Sequence, residues 1–200
     1  MSDPLRHPPF FVSADDAPAR QRILIEGLRL FAERGLSETT VRDIGAATGF
    51  TNPALYRHFK GKEALAEFLF ERCYGRMVAV VGNALEDSPR GPEAMRAFVA
   101  AMLRLYAESP PAMLFVSDNL RRFWPTVSPT MRRFTLVSVV RKILSPKARP
   151  GADDDAEVRV ATVIGAIQQV FRMLYLGGLE GPPDRWIAPL TKTLVTLIEK

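Results

Sequence analysis

A single cysteine in 200 residues sets the first limit: Cys73 has no partner for an internal disulfide, and such a chain suits a reducing compartment. Histidine is nearly as scarce. His7 and His58 are the only two, and with one thiol they cannot make a metal-spaced Cys/His cluster. There is no nucleophile elbow and no phosphate-cradling glycine loop. An enzyme is therefore not expected, and neither is a bound cofactor or metal. No apolar run approaches the roughly 18 uncharged residues that a membrane span needs. The stretch MSDPLRHPPFFVSADDAP has no basic region followed by an apolar one and is interrupted by prolines, so it does not read as a signal peptide. The expectation is a cytoplasmic protein with no membrane partner. Alternating apolar and polar residues are missing too. No segment reads as a strand, and no internal repeat is visible.

What is present is ample apolar and charged material, 47% hydrophobic and 24% charged, enough to bury a core. The formal charge is +5, and it is uneven: eight basic residues and four acidic ones lie between Arg20 and Lys62. Mild basicity alone says little. Concentrated around one short segment, it points toward nucleic acid.

The periodicity predicts an all-α chain of about nine helices. Residues 1 to about 16, with Pro4, Pro8 and Pro9, read as a flexible arm. Helix 1 is expected from about Ala17 to Arg34, with Leu24, Leu28 and Phe31 on one stripe and Gly35 at its end. Helix 2 starts near Thr40, where Thr40-Val41-Arg42-Asp43 fits a capping box, and Gly49 breaks it. Helix 3 starts at Thr51, with Pro53 in its first turn, where a missing N–H costs little. Helix 4 follows Gly61 and runs to about Leu85. Further helices are expected over about 92–108, 112–123, 129–144, 156–176 and 183–198, with a loop rich in Pro, Gly and Asp over 147–155.

Ser37 to Leu65 carries the most information. Two short helices joined by a glycine-containing turn form a helix-turn-helix, a unit able to lay its second helix in the DNA major groove. Leu55 and Phe59 supply the inner face of that helix. Thr51, Asn52, Ala54, Tyr56 and His58 lie on its outer side or first turn. Tyr56 can pack on the sugar-phosphate wall and hydrogen-bond a phosphate, and Asn52 suits an adenine edge. Lys60 and Lys62 flank the start of helix 4, where N–H groups also favour phosphate. Thr39, Thr40 and Arg42 stand at the start of helix 2, placed for the opposite backbone.

These residues resemble the tetracycline-repressor-like (TetR) transcription regulators. The shared pattern is Thr39-Thr40-Val41-Arg42-Asp43-Ile44-Gly45, Gly49-Phe50-Thr51, Leu55-Tyr56-Arg57-His58-Phe59 and Lys60-Gly61-Lys62-Glu63-Ala64-Leu65. It covers about 45 residues, Arg20 to Leu65. Pro53 departs from it, since a small residue is more usual there, so base preference cannot be carried over. After the arm over 1–16, the resemblance implies a three-helix DNA-binding domain over 17–62 and a helical effector-binding and dimerisation domain over 63–200. It also implies a homodimer on an inverted-repeat operator in double-stranded DNA, released by a small molecule of unknown identity, in a cytoplasmic, nucleoid-associated setting.

The larger half permits both implied roles. Small Ala161 and Gly165, with Ile164 and Gln168, would admit a partner helix, and Trp186, Leu190 and Leu194 would extend that face. For the effector, a Met and aromatic population stands out. Met102, Tyr106, Met113, Phe115 and Phe123 belong to it, as do Trp124, Phe134, Met173 and Tyr175. Gln168 adds a polar handle. Such linings suit an apolar or aromatic ligand. Ordinary core packing is the plainer reading of each residue alone. A second function class keeps the DNA binding but drops the effector: a chromosome-associated protein that recruits a protein partner.

Overall fold

The computed structural model describes residues 9–87, 90–144 and 154–198. Among them every regular element is helical. The α-helices, in order, are α1 (Pro18–Arg34), α2 (Val41–Thr48), α3 (Asn52–Tyr56), α4 (Lys62–Ala84), α5 (Gly91–Glu108), α6 (Pro110–Phe123), α7 (Pro129–Arg133), α8 (Leu136–Leu144), α9 (Asp154–Tyr175) and α10 (Ile187–Val195), with short 3-10 turns at Trp124–Thr126 and Pro183–Trp186. No described helix is long and apolar enough to cross a membrane.

The single helix expected over 129–144 is two. Thr135 and Ser138 cap each other's backbone: the Ser138 N–H donates to the Thr135 hydroxyl at 2.9 Å, and the Thr135 N–H donates to the Ser138 hydroxyl at 3.1 Å. That reciprocal cap ends one helical run and starts the next. The last helix also differs from expectation, opening as the Pro183–Trp186 3-10 turn before α10 begins. Most of the loop expected over 147–155 lies outside the described residues.

The chain divides into two compact units, one of Met1–Arg76 with Pro111–Thr126, the other of Met77–Pro110 with Val127–Lys200. The division falls inside α4, and α6 joins the first unit. In that unit the α1 stripe Leu24, Leu28 and Phe31 is buried with Ile44 of α2, Leu55 of α3 and Leu65 and Leu69 of α4. Aromatic rings bind α6 to this core: Phe115 stacks on Phe31 at 5.8 Å, and Phe123 lies 5.3 Å from Phe70. Stacked and tilted ring contacts of this kind add to the burial itself. In the second unit, α9 buries Ala156, Val160, Val163, Ile167 and Phe171 along one stripe. Tyr106 of α5 stacks on Phe171 at 5.0 Å. Arg141 of α8 grips Glu157 of α9 with two bonds of 3.0 and 2.8 Å.

Residues 9–16 are not a loose arm. Phe11 and Val12 are buried, and so is Asp16, which faces two arginines. Residues 1–8 lie outside the described residues, Arg6 and His7 with them.

Candidate nucleic-acid interface

The site is built from the α2 start upward. Thr40 is the N-cap of α2; its hydroxyl accepts from the Asp43 N–H, and the Asp43 carboxylate accepts from the Thr40 N–H at 2.8 Å. The Thr40 hydroxyl also donates to the Asp43 carboxylate at 2.5 Å, and that bond, followed by the one from the Thr40 N–H, holds the Asp43 carboxyl below the usual carboxylate range. Gly49 closes α2 in the left-handed region at φ 76°, a conformation that only glycine adopts without strain. Gly45 permits the crossing of α2 and α3: a Cβ there would stand 2.9 Å from the Phe50 carbonyl oxygen. The turn therefore sets α3 close against α2 with no room for a side chain between.

Helix α3 is only five residues long, capped by Thr51 through its backbone alone, with no side-chain cap bond. So short a helix has little stability of its own. Leu55 anchors it in the core, while Tyr56 is 54% exposed. A shallow gap of about 20 Å³ lies beneath, lined by Ile23, Ile44, Leu55 and Phe59 among others. Its lining is apolar, so it offers a water no partners and is a packing gap rather than a ligand site.

The expected contact residues differ in exposure. Thr40, Arg42, Thr51, Asn52, Tyr56 and Lys60 are exposed on the outer side of this unit, whereas Ala54 and His58 are half-buried. The Asn52 Oδ1 turns back toward α2, 3.4 Å from where a Cβ on Gly45 would be. Arg57 is exposed at the end of α3, although the motif alone gives it no contact. Its signal in the sequence is its place beside Tyr56, between two residues that the motif already counts.

Thr39 and Lys62 are corrections. Thr39 is fully buried, and its hydroxyl donates to the Gly35 carbonyl at 2.8 Å, so it braces the α1–α2 turn and does not face outward. The Lys62 ammonium points inward. It donates to the carbonyls of Leu36, Ser37 and Thr39 at 2.9, 2.9 and 2.7 Å. All three of its protons are thereby engaged, and the residue ties the α1–α2 loop to the start of α4. Lys60 is left as the exposed cation of the pair.

The residues expected to line an effector pocket fall in different units. Met113, Phe115, Phe123 and Trp124 belong to the first, the other six to the second. Met102, Tyr106, Met113, Phe115 and Phe123 are buried, Trp124, Gln168 and Met173 are half-buried, and Phe134 and Tyr175 are exposed at 57% and 41%. Trp124 lies edge-on to Tyr74 at 6.0 Å. Of the expected pairing face, Ala161 and Gly165 are exposed, while Ile164, Gln168, Trp186 and Leu190 are half-buried. Leu194 is 1% exposed and packs inside its own unit, so it leaves that face.

A short exposed helix locked by a glycine turn onto a helical scaffold defines a helix-turn-helix protein. Residues 23–69 match the model of bacterial regulatory proteins, tetR family. Over these residues, from α1 into α4, the chain carries the N-terminal segment of that family. It is 32% identical over 75 residues, 38% of each chain, to the HTH-type transcriptional repressor DhaR of Mycobacterium sp. (strain GP1). It is 34% identical over 84 residues to the HTH-type transcriptional repressor KstR2 of Rhodococcus jostii, covering 40% of this chain and 41% of that one. The aligned stretch thus spans about two fifths of the length of these curated relatives. The fold extends further. A TetR-family transcriptional regulator from Bordetella parapertussis superposes with a TM-score of 0.74 at 21% identity, over 92% of this chain and 100% of that one. The ketosteroid transcriptional regulator KstR2 of Mycobacterium tuberculosis does so with a TM-score of 0.72 at 22% identity, over 94% and 99%.

Proposed function

We propose that the protein is a non-enzymatic transcriptional regulator, a homodimer that binds an inverted-repeat DNA operator and represses until a small apolar or aromatic effector releases it. The observation that carries this reading is the outward face of the helix-turn-helix. Tyr56 and Arg57 of the α3 end, Thr51 and Asn52 of its first turn, Thr40 and Arg42 of the α2 start, and Lys60 before α4 are exposed together, on a unit whose inner face is packed. Hydroxyls, an amide and cations are the groups that reach phosphates and base edges. For pairing, α9 sets Ala161 and Gly165 on the side opposite its buried stripe, with half-buried Ile164 and Gln168 beside them. An effector acts by preferring one state of the chain, and the linkage is reciprocal: operator DNA weakens effector binding by the same factor.

A gel shift on the intergenic DNA beside the coding region tests the reading. Wild type should retard the fragment, and Tyr56→Phe should need several-fold more protein while melting at the same temperature. Retardation equal to that of wild type would remove Tyr56 from the contact set. For the effector, a thermal-shift screen should find stabilisers among apolar and aromatic compounds. Shifts confined to small hydrophilic compounds would contradict that class.

A further inference from the structure

In the first unit, two arginines and two phenylalanines form a cluster that the DNA-contact reading does not use. Arg20 of α1 caps two rings that pack on each other at 5.5 Å, its guanidinium carbon 4.5 Å from the centroid of Phe59 and 4.4 Å from that of Phe68. Arg72 of α4 covers Phe68 as well, at 4.5 Å. The Asp16 carboxylate joins both arginines. Arg20 Nε stands 3.3 Å from Asp16 Oδ1, and Arg72 pairs with both carboxylate oxygens. Asp16 also accepts the Ser13 N–H at 2.9 Å, and Arg72 donates to the Phe11 carbonyl at 3.1 Å. Arg20 Nη1 approaches the His58 carbonyl within 3.5 Å, in the turn directly after α3.

We infer that Arg20 and Asp16 are positioning residues for operator reading: held by Asp16 and Arg72, the flat Arg20 guanidinium fixes the end of the five-residue α3 against α1 and α4. The inference rests on the DNA-binding reading above. The physical reason is the shortness of α3, whose orientation must come from its neighbours. Leu55 holds it from below. Phe59 and the His58 carbonyl hold its end, and Arg20 touches both. A lysine in place of Arg20 would keep the charge and lose the broad guanidinium that covers the paired rings.

Base-edge hydrogen bonds are short and directional, whereas phosphate attraction is long-ranged and tolerant. Loosening α3 should therefore lower discrimination before it lowers general DNA affinity. The test uses full-length protein and two duplexes, one selected from random sequence by the wild type and one of scrambled sequence. Arg20→Lys should bind the selected duplex about tenfold more weakly. Its affinity for the scrambled duplex at low salt should stay within about twofold, since net charge is unchanged. Asp16→Asn, nearly the same shape, serves as the second variant should Arg20→Lys not fold, and should shift the ratio in the same direction. An unchanged ratio, or equal losses on both duplexes, would overturn the inference, because a purely structural role lowers the active fraction for both alike. Wild type that binds neither duplex would overturn the DNA-binding reading and this inference with it.

Discussion

Lys62 illustrates how contacts decide the meaning of a side chain. In the motif it looks like a phosphate ligand; in the fold its ammonium closes three carbonyls of the α1–α2 loop. Lys62→Met keeps the aliphatic stem and leaves those carbonyls without their donor, so we expect a loss of about 1–3 kcal/mol, read from the urea midpoint. An unchanged midpoint would return Lys62 to the outer face. Asp16 gives a pH signature. Burial alone would raise its carboxyl, but the Arg72 bond, the Ser13 N–H and the charges of Arg72 and Arg20 outweigh burial and hold it below the usual range. Asp43 is lowered too, chiefly by its Thr40 bonds. A depressed folded pKa adds stability above the unfolded value, about 4, and that stability is lost as pH falls through the folded value. Melting temperature should therefore be flat from neutral pH to about 5 and fall on acidification below about 4. In Asp16→Asn the fall should be shallower. An equal fall would remove Asp16 as its source.

At the scale of elements, the α2–α3 turn depends on two glycines with different duties. Gly49 supplies a backbone conformation, and Gly45 supplies a close approach to the Phe50 carbonyl. Gly45→Ala must push that carbonyl and α3 outward. We expect a stability loss of about 1–3 kcal/mol with weakened DNA binding, measured by urea unfolding and gel shift. Stability and binding both equal to wild type would contradict the close approach. The sequence makes α1 through α4 legible for a physical reason: their ends carry local signals, such as the Thr40–Asp43 box and Gly49, and such caps act within one turn. The α7–α8 break is equally local, written in Thr135 and Ser138, but an apolar period running across it hides the cap. The inward turn of Lys62 and the burial of Thr39 are not legible. Both depend on carbonyls that only the folded α1–α2 loop brings within reach. The Arg20 cluster is illegible likewise, since Arg20 and Phe59 are far apart in sequence and meet only in the packed unit.

At the scale of the whole molecule, the family's helical fold covers nearly the full chain, while sequence identity to curated repressors is confined to about two fifths of it. The second unit offers exposed apolar groups, Val158 on α9 at 63% and Leu176 just past its end at 79%, and exposed small Ala161 and Gly165 on α9. The central claim is that the outer face of the helix-turn-helix grips phosphate through Arg42 and Lys60. The most direct measurement is the salt dependence of binding to an intergenic duplex by fluorescence anisotropy, for wild type and for Arg42→Ala with Lys60→Ala. The wild type should show log affinity falling steeply and linearly with log salt. The double variant should give a slope shallower by about one for every phosphate that each protomer no longer neutralises, with its urea midpoint unchanged. A double variant with the wild-type slope, or a wild type whose binding ignores salt, would contradict the claim.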